Sequence, residues 1–177
     1  SGPKETVRAE LLTSRGEINP DDDITAILKN GHNKALVWKW HIPYFYCHYN
    51  ERMQHSGYLR LMEEVEDLFL ADNNISIRDM LHNKQWIPVV PTAQVEILEE
   101  AYMEETLYTV YTLVESTRGF TYSHTMDCYV VRDGKLVHTA TGGITHGYAR
   151  INDRKDWSLV AFDDETRANI DKNLASI

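Results

Sequence analysis

Residues 58–69, YLRLMEEVEDLF, constrain the fold more than any other stretch of the chain. Tyr58, Leu61, Met62, Val65, Leu68 and Phe69 recur at i, i+3, i+4 and i+7, while Arg60, Glu63, Glu64 and Asp67 take the opposite side. That period predicts one amphipathic helix with a continuous apolar stripe. Asp72-Asn73-Asn74 ends it, and a short helix over 76–82 follows, with Ser76 as its N-cap.

Beyond it the chain reads almost entirely as strand. WIPVVPTAQVEILE comes first, then ETLYTVYTLVEST with apolar Leu107, Val110 and Leu113, then GFTYSHTMDCYVV after a turn at Arg118-Gly119. Asp133-Gly134 is the strongest hairpin signal and leads into KLVHTATGGITHGYA. Upstream, ALVWKWHIPYFYC reads as a strand with an edge or bulge at Pro43. A last helix is predicted over 164–174, capped by Asp163 or Asp164. One amphipathic helix cannot hide its stripe alone, so an antiparallel sheet must curl around it. The fold class is therefore α+β.

Residues 1–36 form a polar N-terminal extension, and residues 37–177 a single domain with a C-terminal helix. Ser1-Gly2-Pro3 reads as a tag remnant. Two weak helical pieces are expected in the extension, over 4–13 and 24–29, the second capped by Asp22 or Asp23. A chain of 177 residues with 42% hydrophobic and 25% charged residues suits one globular domain. No apolar run reaches the roughly 18 residues of a membrane span, and no signal peptide is evident. A net charge of −9 argues against a nucleic-acid partner. Cys47 and Cys128 are expected to be free thiols of a cytoplasmic protein.

The ordered set MQHSGYLRLMEEVEDLFL, WIPVVPTAQVEILEEAYMEETLYTVYTLVESTRGFTY and RDGKLVHTATGGITH resembles the hotdog-fold acyl thioesterases, nearest the hydroxybenzoyl-CoA and enediyne-polyketide branch. The resemblance spans residues 38–148. It implies a hotdog fold, hydrolysis of an acyl-CoA or acyl-carrier-protein thioester in fatty-acid or polyketide metabolism, no cofactor, and a homodimer or tetramer. The family's loop before the helix reads D-x-D-x-x-G-H-V, with the second aspartate catalytic. Aligning Met53-Gln54-His55 with its x-G-H puts Glu51 at that position; an ungapped match back from Tyr58 puts His48 there. The acid is thus Glu instead of Asp, and Gln54 replaces the glycine.

Thioester hydrolysis needs a base or nucleophile beside the carbonyl and donors aimed at the developing oxyanion. Glu51 is the candidate for the first role, with His48 the alternative, His55 to orient it, and Asn50 to hold the water or carbonyl. The amides of Ser56, Gly57 and Tyr58, at the predicted helix start, are the candidate oxyanion hole. Arg150, Arg154 and Lys155 are candidate contacts for phosphates, and Arg52 is a candidate substrate-binding residue. Gly142 and Gly143, inside a predicted strand, mark a bulge or close approach of ligand. His41, His48 and His55 recur every seventh residue but straddle strand, proline and loop, so no metal site is expected. Two rival readings share this pattern: a hotdog dehydratase or hydratase, and a non-catalytic acyl-binding module. For assembly, either KLVHTATGGITH or YMEETLYTVYTLVE is expected to offer the sheet edge that pairs with a second chain.

Overall fold

A computed structural model describes residues 21–29, 34–153 and 156–174. The predicted helix over 4–13, the tag-like start, Arg154 and Lys155 lie outside them. The elements run α1 (Ile24–Lys29), β1 (Leu36–His41), α2 (Tyr44–Cys47), a 3-10 turn His48–Asn50, α3 (His55–Asp72) and α4 (Ile77–Asp79), which continues as a π turn Met80–Lys84. Then follow β2 (Trp86–Ile97), β3 (Thr106–Thr117), β4 (Thr121–Arg132), β5 (Lys135–Asp153), β6 (Asp156–Leu159) and α5 (Asp164–Asp171). The strands form one antiparallel sheet in the order β1-β3-β4-β5-β2, with β6 added beside the end of β5.

The sheet wraps α3. Tyr58, Leu61, Met62, Val65, Phe69 and Leu70 are buried on it, each contributing about 1.5–3 kcal/mol of apolar burial. They meet Leu107, Tyr111 and Leu113 of β3, Met126 and Val130 of β4 and Ile144 of β5. Leu68, expected in the stripe, is 39% exposed. The buried arc is rotated toward Glu66 and Leu70, which leaves Leu68 at its margin.

The other face of the sheet is covered in part. Ile24 and Leu28 of α1 pack with Ala35 on Tyr108, Val110 and Tyr129. Residues 107–113 of β3 are consequently buried on both faces, and a run with no polar alternation follows from that.

Local signals hold at the caps. Asp23 accepts the Ala26 N–H at 3.2 Å, Ser76 that of Asp79 at 3.2 Å, and Asp163 that of Thr166 at 2.8 Å. Asp133 and Gly134 both take positive φ, 51° and 68°, as the tight β4–β5 hairpin requires. Two expectations are corrected. The first strand stops at His41, because Pro43 starts the helical turn α2 instead of bulging a strand. The sheet edges are β1 and β2, not the predicted β3 and β5, which have neighbours on both sides.

Candidate active site

The stretch from Asn50 to His55 is held by its backbone. Glu51 O accepts the Met103 N–H at 2.8 Å, Met53 N–H donates to Ala101 O at 2.8 Å, and Arg52 bridges to Tyr102. Gln54 N–H reaches Tyr46 O at 2.9 Å, and the Gln54 side-chain amide donates to Cys47 O at 3.3 Å. The segment is thus clamped between α2 and the residues leading into β3. Two non-glycine residues stand there at positive φ, His48 at 52° and Glu51 at 57°. Such conformations cost about 1–3 kcal/mol each and persist where surrounding contacts enforce them.

Helix α3 starts at His55, two residues before the expected Gly57, with Gln54 as an N-cap whose side chain makes no capping bond. The Tyr58 N–H is already bonded to Gln54 O at 3.1 Å. The amides of Ser56 and Gly57 lie in the first turn, where the helix itself supplies no acceptor. Gly57 has a packing reason: an added Cβ would stand 2.9 Å from Tyr46 O and 3.2 Å from Tyr46 Cδ1. Tyr46 also donates its hydroxyl to Glu64, which fastens α2 along α3.

Beside this segment lies a cleft of about 450 Å³, between Asn50, Arg52, Gln54 and His55 on one side and Ile97 and Glu100 on the other. Glu51 and His48 are exposed and stand outside its lining. His55 Nε2 lies 3.2 Å from Val95 O, so β2 fixes the ring. Arg52 pairs with Glu100, whose other oxygen accepts the Tyr102 hydroxyl at 3.2 Å. Arg132 donates to Glu105 and to Glu100 O, and stacks over the Tyr102 ring at 5.1 Å. Ile97 and Glu100 therefore join the cleft from a part of the chain that the sequence did not single out, with Tyr102 bracing Glu100 from behind.

The remaining predicted residues are elsewhere. Gly142 and Gly143 sit in regular β-register with Val95 and Gln94. The irregularities of β5 pairing fall at Val89/Thr92, Cys128/Tyr129 and Ile151/Asp153, so neither glycine marks a bulge. A Cβ at Gly142 would meet Gln94 O at 2.5 Å and Met62 Cε at 3.0 Å, so strand and helix close on it. Both glycines line a groove of about 620 Å³, together with Gln94, Ser123, Thr125 and Thr145. Arg150 pairs with Trp86 at the far end of β2, roughly 35 Å along the strand from Ile97 at about 3.3 Å per residue. His41 ends β1, apart from His48 and His55.

A second polar cluster escaped the sequence reading. Glu66 of α3 is only 3% exposed, yet it accepts hydrogen bonds from the Tyr111 and Tyr122 hydroxyls, the latter at 3.0 Å. His124 Nδ1 lies 3.3 Å and His146 Nδ1 3.5 Å from its carboxylate oxygens. Burial pushes the Glu66 carboxyl up to about 7, against the pull of the two tyrosine hydrogen bonds. Burial likewise holds His146 down at about 4 and His124 well below the usual imidazole range. The available signal was period-two: Tyr122 and His124 on β4, and His146 and Tyr148 on β5, all point to one face.

The Thioesterase-like superfamily matches residues 42–170, and the chain belongs to it. Its fold is the hotdog, a curled antiparallel sheet around a central helix. Among solved structures, the dynemicin thioesterase superposes with a TM-score of 0.69 at 15% identity, covering 81% of this chain and 99% of that one. A 4-hydroxybenzoyl CoA thioesterase from Pseudomonas sp. strain CBS-3 gives 0.67 at 10% identity over 78% and 98%. A 1,4-dihydroxy-2-naphthoyl-CoA thioesterase from Synechocystis gives 0.65 at 10% identity over 77% and 95%. No curated protein matches the sequence.

Proposed function

We propose that this chain hydrolyses an acyl thioester of coenzyme A or of a carrier-protein phosphopantetheine arm. One observation carries the reading: a clamped acidic loop runs into the first turn of the central helix and opens on a cleft. There the Ser56 and Gly57 N–H groups, reinforced by the helix dipole, receive the developing oxyanion. The Tyr58 N–H is engaged within the helix, so two amides carry that role. Glu51 takes a proton from water as the water attacks the carbonyl, or attacks directly to form a mixed anhydride that water then hydrolyses; on either route the sulfur leaves and is protonated. His48 is the alternative base, Asn50 holds the water or carbonyl, and His55, braced by Val95 O, orients the loop. Arg52 supplies positive charge at the cleft.

The chain acts as a homodimer through the outer edge of β2. Val90, Ile97 and Leu98 are 44%, 41% and 43% exposed on or just past that strand. An antiparallel pairing centred on β2 would set the partner's Arg150 toward this chain's cleft, where phosphates of a coenzyme need a cation. Arg154, outside the described residues, is a further candidate phosphate contact, and Gly142 and Gly143 offer a wall of close approach. Two buried free cysteines, Cys47 and Cys128, fit a reducing cytoplasm. The resemblance to enediyne-polyketide enzymes favours a biosynthetic acyl chain.

The test is a panel of aliphatic and aromatic acyl-CoA and acyl-pantetheine thioesters, followed by thiol release. Turnover of any member supports the reading. A change in enoyl absorbance without thiol assigns a dehydratase or hydratase instead. Binding without either reaction assigns an acyl-binding module, which the position of Glu51 outside the cleft lining favours as the second reading.

A further inference from the structure

We propose that Glu66, His124 and His146 form a closed structural site for one divalent zinc-type ion between α3 and the sheet. The inference is independent of the thioester reading. The three side chains come from α3, β4 and β5, and their candidate ligand atoms all lie within 4.8 Å of one another. His124 Nδ1 faces Glu66 Oε2 at 3.3 Å, and His146 Nδ1 faces Glu66 Oε1 at 3.5 Å. Neither contact is aligned as a hydrogen bond: both nitrogens of His124 and Nδ1 of His146 lack a hydrogen-bond partner among the described residues. Buried polar atoms left in that state cost about 1–3 kcal/mol each, which calls for a ligand.

The separations suit an ion. Donors held about 2.1 Å from one centre at tetrahedral angles stand roughly 3.4 Å apart. Two imidazoles and a carboxylate are a recurrent donor set for zinc and related divalent ions. The two oxygens of one carboxylate sit too close together for two tetrahedral corners, so Glu66 chelates at a narrow angle and completes a distorted four-coordinate shell with the two imidazoles. Each oxygen has a second lone pair, and here it accepts a tyrosine hydroxyl, Tyr111 on one side and Tyr122 on the other. Those hydroxyls hold the carboxylate as outer-shell partners hold ligands elsewhere. The His124 ring is fixed by stacking on Tyr111 at 4.2 Å and by the edge of Phe69 at 4.4 Å; the His146 ring stacks on Tyr122 at 5.6 Å. With Glu66 at 3%, His124 at 1% and His146 at 4% exposure, no substrate reaches the cluster, so the ion's role is to brace the fold.

Because the donors are buried, the full chain is unfolded in chelator and refolded with zinc chloride, then freed of loose ion and assayed for bound metal. One zinc per chain and a higher Tm than the metal-free protein are expected. His146→Gln should lower zinc affinity more than about 100-fold, since losing even an outer-shell partner costs about 10–100-fold; Tyr111→Phe should lower it by about that outer-shell amount. His41→Gln and His82→Gln, at exposed positions, should bind as the parent does. Where a ligand variant does not fold, X-ray absorption of the zinc-loaded parent decides: two imidazoles with oxygen donors support the site. Substoichiometric zinc, zinc retained undiminished in folded His146→Gln, or a coordination shell without two imidazoles overturns the proposal.

Discussion

Gly57 packs so tightly on the main chain of Tyr46 that a methyl group at position 57 would stand 2.9 Å from the Tyr46 carbonyl oxygen. The neighbour is backbone, which cannot swing aside as a flexible side chain can. The contact sets how closely α2 lies on α3, and with it the path of the loop between them. Gly57→Val is therefore expected to destabilise the protein by about 1–3 kcal/mol, as overpacking commonly does. A thermal melt checks this, and an unchanged Tm would show that α2 shifts without cost.

Val65 lies fully buried at the centre of the helix stripe. Val65→Asp places a carboxylate there with no planned partner, at a cost of several kcal/mol against a total stability of about 5–15 kcal/mol. The expected result is loss of cooperative unfolding in circular dichroism. A folded, cooperatively melting variant would contradict the packing described for α3.

Glu51 and His48 stand on the same loop with the same left-handed sign of φ, so a substitution experiment separates them. Glu51→Gln is expected to keep fold and ligand binding but lose about 100- to 10,000-fold in thiol release, the usual range for a missing acid or base. His48→Gln should lose far less. The reverse pattern would assign the base to His48 and move the dehydratase reading ahead.

Glu105 gives a pH prediction. Partial burial raises its pKa, but the hydrogen bonds from Arg132 and the Tyr102 N–H, with the Arg132 charge, outweigh that and hold it below 4.5. A carboxyl depressed in the folded state stabilises above its unfolded value, and the gain is lost as pH falls through the folded value. The parent should therefore lose stability below about pH 4.5, more steeply than Glu105→Gln. Denaturant melts across that range test it; parallel acid limbs would count against the pairing.

The edge of β2 carries the assembly prediction. Val90→Lys with Ile97→Lys puts charge on a strand edge that otherwise pairs, a common natural guard against such pairing. Light scattering at micromolar concentration is expected to show a dimer for the parent and a monomer for the double variant. A monomeric parent would sink the edge-pairing proposal.

What the sequence made legible was local chemistry. Asp23, Ser76 and Asp163 act as caps, and Asp133-Gly134 turns its hairpin, because the groups involved are three or fewer residues apart. Pro43 was misread for a related reason: a fixed φ suits both a strand interruption and the start of a helical turn, and tertiary contacts chose between them. Glu66 was invisible because Glu63, Glu64, Glu66 and Asp67 look alike in sequence. Only the tyrosines and histidines of three separate strands make position 66 an interior one. The candidate cleft was half legible, since Asn50, Arg52 and His55 are neighbours in sequence, whereas Ile97 and Glu100 reach it through the sheet.

The helix α1 laid on the back of β3 and β4 gives the sheet two unequal halves. Near β3 the strands are sealed above and below; along β2 most side chains are wet. In the Val90→Lys, Ile97→Lys variant, where β2 has no partner strand, backbone amides should thus exchange with solvent in a gradient across the sheet, slowest in β3 and β4 and fastest at β2. The half that opens first is the half bordering the cleft, so breathing of β2 would loosen the site while the sealed strands keep the domain together.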